Sequence, residues 1–86
     1  MIILGSSGML GNAFVNFFKS NCIPLSRIDC DFANFDALGD ILNKYPNYPI
    51  INCAAKINIE YVEKNYDECF KINTLLPEFL AKYCLS

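Results

Sequence analysis

The chain has no histidine and no tryptophan, and only 19% of its 86 residues are charged. Without histidine, His-based zinc sites, Ser–His–Asp triads and imidazole acid–base chemistry are excluded. Seven basic residues against nine acidic ones leave a net charge of −2, so there is no basic footprint for nucleic acid. No C-x-x-C pair occurs among the five cysteines, at 22, 30, 53, 69 and 84. The odd number argues for reduced, mostly buried thiols in the cytoplasm rather than a disulfide framework. No charged n-region precedes an apolar segment, since the first basic residue is Lys19, so a signal peptide is not expected. Apolar runs are a few residues long, far short of the ~20 that span a bilayer.

What is present is apolar: 53% hydrophobic residues and 14% aromatic ones. That composition excludes intrinsic disorder, which needs low hydrophobicity and high net charge. At this length a chain buries roughly 60–65% of its unfolded surface, so one small domain is the limit, and stability is marginal. So much apolar surface on so short a chain suggests part of something larger, or an obligate partner.

Residues 1–18 carry no charged side chain. Met1–Leu4 is apolar at every position, as a strand covered on both faces is. Gly5-Ser6-Ser7-Gly8 breaks it, and a helix follows with Leu10, Ala13, Phe14, Phe17 and Phe18 on one face. Ile23–Ile28 reads as a second strand, placed at an edge or an early position by Pro24. Asn34 is the N-cap of a second helix carrying Phe35, Leu38, Ile41, Leu42 and Tyr45, and Pro46 closes it. Tyr48–Ala55 is a third strand. Residues 57–65 have no clear pattern, and Asp67–Cys84 is the longest helix, its core face written by Ile72, Leu75, Leu76, Phe79, Leu80 and Tyr83. The β-α-β-α-β-α order without hairpin signals predicts a Rossmann-like α/β fold, a parallel sheet with flanking helices occupying 1–86 as a single domain fragment.

Gly5-x-x-Gly8-x-x-Gly11 falls where the first strand ends and the first helix begins. The first glycine permits the turn, the second lets backbone N–H groups approach a phosphate, and the third lets helix and strand pack closely. The helix N-terminus offers partial positive charge to a pyrophosphate. There is no Gly-Lys-Ser/Thr, so a nucleoside-triphosphate P-loop is excluded. The end of the second strand would read the adenine ribose. Asp29 and Asp31 there suit a 2′-hydroxyl and Arg27 a 2′-phosphate. The expected cofactor is NAD or NADP, with Ser26-Arg27 leaning slightly toward NADP; the alternatives are a glycine-rich turn with no ligand and, at the second strand, charges that only face solvent.

These motifs, followed by Asp31-Phe32, Ile51-Asn52-Cys53-Ala54-Ala55-Lys56 and Asn73-Thr74-Leu75-Leu76-Pro77, resemble the N-terminal part of the extended short-chain dehydrogenases/reductases, in the dTDP-4-dehydrorhamnose reductase branch. The resemblance spans essentially the whole chain. It implies that Gly8, Met9 and Leu10 line the pyrophosphate, with Gly5 and Gly11 shaping the turn. It also implies that Asp31 and Phe32 contact adenine, and that Ala54, Ala55 and Lys56 lie along the nicotinamide-side ribose. Glu60 and Glu63 fall where the family has an acidic stretch, or else on a solvated loop face. Asn73 belongs to the family's site-supporting helix. Pro77 removes the donor that its carbonyl would meet, leaving either a freed carbonyl facing the cleft or a kinked helix.

The resemblance implies an intact enzyme that reduces the 4-keto group of a dTDP-sugar, with a catalytic Tyr-x-x-x-Lys. None of the five tyrosines has a lysine four residues on, so no catalytic residue and no metal ligand is expected in this chain. Alternatives are an epimerase or dehydratase fragment, a non-catalytic remnant, or an interaction module. The expected partners are a dinucleotide and, in the intact enzyme, a dTDP-sugar, with no nucleic acid and no membrane. The fold's usual strand order places the first strand beside an absent fourth one, leaving Met1–Leu4 as an open apolar edge and Phe79 and Tyr83 exposed. Self-association or dependence on a C-terminal complement is therefore expected.

Overall fold

A computed structural model describes residues 1–55 and 64–85. Three short strands form one parallel sheet: β1 (Ile2–Leu4), β2 (Ile23–Leu25) and β3 (Ile50–Asn52). Helix α1 (Met9–Phe18) joins β1 to β2 through a 3₁₀ turn at Lys19–Asn21, and α2 (Phe35–Leu42) joins β2 to β3. The long C-terminal helix comes in three pieces: α3 (Tyr66–Phe70), a π-helical turn (Lys71–Leu75) and α4 (Leu76–Leu85). Strands two and three are shorter than their sequence patterns. β2 stops at Leu25 because Ser26 and Asp29 form a turn: the Asp29 carboxylate accepts from the Ser26 N–H at 2.8 Å. β3 stops at Asn52, whose side-chain oxygen accepts from the Ala54 N–H at 3.0 Å. The Asn52 contact is a side-chain mimic of a backbone turn, whereas the Asp29 carboxylate braces a backbone turn in which the Asp29 N–H donates to Ser26 O at 3.0 Å.

The strand order is β2-β1-β3. The expectation of an open β1 edge is therefore wrong. Ile2, Ile3 and Leu4 pair with Ile23, Pro24 and Leu25 on one side and with Ile50, Ile51 and Asn52 on the other. After β2 the chain reverses direction across the sheet and puts β3 in the place assigned to an absent strand. The edges are β2, where Pro24 is tolerated as an edge residue, and β3.

Because the two crossovers run in opposite directions, right-handed connection puts α1 and α2 on opposite faces. The α2 face carries the core. Ile2 and Leu4 of β1 and Leu25 of β2 pack with Leu38 and Leu42 of α2 and with Ile72, Leu76 and Leu80 of the long helix. Phe35 stacks on Phe79 with ring centroids 4.8 Å apart, and the Tyr83 hydroxyl donates to Asn43 Oδ1 at 2.8 Å. Phe79 and Tyr83 are thus half-buried against α2, not exposed as expected. The α1 face is thinner. Ile3 is fully buried there, but Gly11 is the one buried residue of α1.

Two local devices hold these elements. The Asn34 side chain accepts from the Ala37 N–H at 3.1 Å, capping α2, with Asp36 in its first turn. In the long helix Pro77 has no N–H for the Asn73 carbonyl. The ladder widens there, and the Leu76 N–H donates to Lys71 O, five residues back. The helix stays continuous and keeps Ile72, Leu76 and Leu80 on its core face.

Leu38 has no exposed surface. Leu38→Ala is expected to cost about 2–5 kcal/mol through lost transfer energy and a cavity. Asn34→Ala should cost only about 1 kcal/mol through the lost cap. Urea unfolding followed by circular dichroism measures both, and equal costs would show that the cap, not the core, holds α2.

Candidate functional site

The reversal between β1 and β3 is a topological switch point, and open α/β sheets place their ligands there, outside the carboxyl ends of the strands. A cavity of about 440 Å³ opens at that place. Its walls come from the segment after β1 (Gly5, Ser7, Gly8), the segment after β2 (Arg27, Asp31, Phe32), the segment after β3 (Cys53, Ala54, Ala55), and Glu68 and Ile72 of the long helix.

The three glycines of the turn have different reasons to be glycine. Gly5 has φ +79°, and a Cβ there would lie 2.8 Å from the backbone of Cys53 and Ala54. A Cβ on Gly11 would collide with the Gly5 carbonyl oxygen, so α1 could not sit so close to the end of β1. Gly8 is different. Its backbone is extended (φ −75°, ψ 170°), and an added Cβ would meet only Gly5 O, at an ordinary 3.5 Å. The fold does not need glycine at this position. What a side chain there would fill is cavity.

The turn is fixed from behind. The Gly5 and Ser6 N–H groups donate to Leu25 O at 2.9 and 3.1 Å, and the Gly8 N–H donates to Gly5 O at 3.1 Å. Gly8 is the N-cap of α1, and no side chain caps that terminus. The first-turn N–H groups, with the positive end of the helix dipole behind them, are therefore available to an anion.

At the β2 end the two aspartates divide their roles. Asp29 is committed to the Ser26 turn, accepting from both its N–H and its hydroxyl. Asp31 is exposed and lines the cavity, one carboxylate oxygen accepting from the Ala33 N–H at 3.0 Å. Arg27 is exposed at the cavity wall. Phe32 is buried, contributing to both the core and the cavity.

The profile of the RmlD substrate binding domain family matches residues 1–86. The chain belongs to that family. A dTDP-4-dehydrorhamnose reductase from Clostridium acetobutylicum ATCC 824 superposes on this RmlD-family chain with a TM-score of 0.85 and 31% identity, over 98% of this chain and 31% of that one. A dTDP-4-dehydrorhamnose reductase from Bacillus anthracis str. Ames, in complex with NADP, superposes with a TM-score of 0.82 and 24% identity, over 95% of this chain and 30% of that one. The second likeness is one of fold. The chain spans about three-tenths of the length of these two relatives. No curated protein matches it.

Of the residues singled out from the sequence, the cavity brings together Gly5, Gly8, Arg27, Asp31, Phe32, Ala54 and Ala55. Met9 and Leu10 do not line it. Their side chains point to solvent, 94% and 61% exposed, and only their backbone lies at the helix N-terminus. Gly11 is buried between α1 and the turn, a packing residue. Asn73 is exposed and does not line the cavity, where the long helix presents Glu68 and Ile72 instead. Lys56, Glu60 and Glu63 lie outside the described residues. Sequence reasoning passed over Ser7, Cys53, Glu68 and Ile72. The first two sit inside motifs already marked. Glu68 and Ile72 could have been found as an i, i+4 pair on one face of the long helix.

Among the described residues no three Cys, Asp or Glu side chains converge as metal ligands would. Nor is any helix among them long and apolar enough to cross a membrane. All five thiols are free, with Cys22, Cys30 and Cys69 buried, Cys53 half-buried and Cys84 exposed. Burial pushes the Cys30 thiol up, and the charges of Asp31 and Asp29 push it further, while burial alone raises Cys53. Both thiols stay protonated in the fold beyond the pH at which they would ionise in the unfolded chain. Their contribution to stability is whole below about pH 8.5 and is lost as pH rises through the raised folded values. Iodoacetamide at pH 7.5, read by mass spectrometry, should modify Cys84 first and leave Cys30 and Cys53 until the protein is unfolded or strongly alkaline.

Proposed function

We propose that this chain is the dinucleotide-binding part of an NAD(P)H-dependent sugar-nucleotide reductase that reduces the 4-keto group of a dTDP-4-keto-deoxysugar. The observation that carries this reading is Gly8: a glycine the fold does not require, at an uncapped helix N-terminus, on the wall of a cavity at the switch point. A pyrophosphate occupies the kind of space that a Cβ would take there. The family match and the 31% identity to the Clostridium acetobutylicum reductase support the choice of substrate class.

In this reading each wall has a task. The α1 N-terminus and the Gly5–Gly8 turn hold the pyrophosphate with backbone N–H groups. Asp31 accepts from the adenine end, with Phe32 and Ile72 forming the apolar sides of the base slot. Arg27 lies where a 2′-phosphate would need a cation, which favours NADP, the dinucleotide carried by the Bacillus anthracis relative. Ala54 and Ala55, small and following β3, leave the backbone close to the path toward the nicotinamide ribose. Held by these residues, a reduced nicotinamide dinucleotide would supply the hydride for the ketone. The proton that must accompany it would come from a tyrosine with a lysine four residues on, and Tyr45, Tyr48, Tyr61 and Tyr66 have no such lysine.

Two outcomes check this. In titration calorimetry the chain should bind NADPH weakly, near millimolar or about −4 kcal/mol. Gly8→Val should abolish binding while changing the unfolding free energy from urea titration by no more than about 1 kcal/mol. Gly11→Ala should instead destabilise by about 1–3 kcal/mol or more. Arg27→Ala should weaken NADPH more than NADH. Equal NADPH binding by wild type and Gly8→Val would end the glycine-turn assignment. Separately, the chain alone should oxidise NADPH with a dTDP-4-keto sugar no faster than the buffer does, measured at 340 nm with mass-verified protein.

A further inference from the structure

The long helix brings a carboxylate to the cavity. Glu68 and Ile72 stand four residues apart on one face of that helix, and both line the cavity. Ile72 is buried in the core, whereas Glu68 is exposed. At 1.5 Å per residue, Glu68 lies about 6 Å nearer the start of the helix than Ile72. Ile72 therefore belongs to the floor of the cavity and Glu68 to its mouth. The carboxylate is not needed to form the helix. Asp67 stands beside it in the first turn, where either acidic side chain favours the helix dipole.

Arg27, Asp31 and Glu68 are the charged side chains that line the cavity among the described residues, and all three are exposed. One is a cation and two are anions, so their balance is one negative charge. The field at the end of β2 has the same sign, since the charges of Asp31 and Asp29 both push the Cys30 thiol up. A 2′-hydroxyl on an adenine ribose is neutral and indifferent to this balance. A 2′-phosphate, as a phosphate monoester, carries about −1.5 to −2 at pH 7. Arg27 attracts it, and Asp31 and Glu68 repel it. Across several ångströms at a wet rim each repulsion changes affinity by about threefold to tenfold, and salt screens it. Asp31 comes with the β2 segment that carries Arg27, and its carboxylate is tied to the Ala33 N–H. Glu68 arrives from a different element and adds a second negative charge to the same mouth.

We propose that Glu68 is a specificity-determining residue for the dinucleotide: its carboxylate offsets Arg27 and holds the chain to near-equal affinity for NADH and NADPH. The proposal rests on the reductase reading above and deepens it, by naming the group that limits the preference for a 2′-phosphate.

The test titrates the 86-residue chain calorimetrically with NADH and with NADPH at about 50 mM salt, where charges act beyond 10 Å. The two wild-type affinities should agree within about threefold. Glu68→Gln should raise the ratio of NADPH to NADH affinity at least about threefold, and Glu68→Lys at least about tenfold. Asp67→Asn removes a neighbouring carboxylate that does not line the cavity, and should leave the ratio as it was. In 1 M sodium chloride, where the Debye length is about 3 Å, the Glu68→Gln shift should fall below about twofold. Circular dichroism should show the wild-type fold in all three variants, since both positions are exposed. Loss of the fold in Glu68→Gln would make Glu68 a structural residue and overturn the proposal. Dinucleotide binding with a ratio indifferent to both Glu68 substitutions overturns it as well, and leaves the proposed function standing. A ratio moved equally by Asp67→Asn assigns the effect to the helix end as a whole, against the proposal. Binding of neither dinucleotide by the wild type would overturn both the proposal and the reading on which it rests.

Discussion

The contact on which the rest of this molecule depends is the approach of Gly11 to the Gly5 carbonyl, where no side chain fits. It brings the first turn of α1 against the end of β1 and so fixes where the helix N-terminus points. With Gly5 held by its own hydrogen bond to Leu25 O, the turn cannot swing away from β2. The missing side chain of Gly5 then lets the segment after β3 pass close by, where a Cβ would lie 2.8 Å from its backbone. Three strand ends converge as a result, and the cavity is the space they leave. Gly8 belongs to the same motif but not to the same constraint, and that separation gives the site its meaning. Two glycines build the frame, and the third keeps the frame empty at one point.

Much of this frame can be read from residue order alone. Apolar Ile2–Leu4, the glycine spacing, the Asn34 cap and the i, i+4 ladder of the long helix each specify a local element with a local cause. Strand order has no such cause. Nothing in Ile50-Ile51-Asn52 says which side of β1 it will join. Choosing the side depends on whether the second crossover continues outward or turns back, a long-range property of α2 and its packing on the long helix. The expected β1 edge and the expected exposure of Phe79 and Tyr83 failed together for that reason. Once β3 sits beside β1, the long helix must lie over both and against α2, which brings Phe79 onto Phe35 and Tyr83 onto Asn43.

The site divides along the same line. Residues that act through backbone conformation or through position at a strand end (Gly5, Gly8, Asp31, Ala54) follow from motif spacing. Residues that reach the cavity from a distant helix do not. Glu68 and Ile72 share one face of the long helix, four residues apart, but their spacing does not say that this face meets the strand ends. Asn73, next to Ile72 in sequence, lies about 100° around the helix from it and does not line the cavity. Spacing defines a helix face, and only the packing of the whole chain decides what that face meets.

The distribution of charge completes the argument. No side chain in residues 1–18 is charged, and this stretch contains both the most buried strand and the most exposed apolar helix. A helix evolved to face water carries i, i+4 charges on its outer side, as α4 does with Glu78 and Lys82, whose hydrogen bond at 2.8 Å lowers the Glu78 carboxyl and raises the Lys82 ammonium from their ordinary values. α1 has asparagines where such pairs would stand. Both of its flanks are thus suited to protein neighbours, and only its N-terminal end, with uncapped N–H groups, is suited to an anion. The two surfaces are chemically distinct and meet on one ten-residue helix, so whatever covers the flank of α1 also steadies the end that faces the cavity.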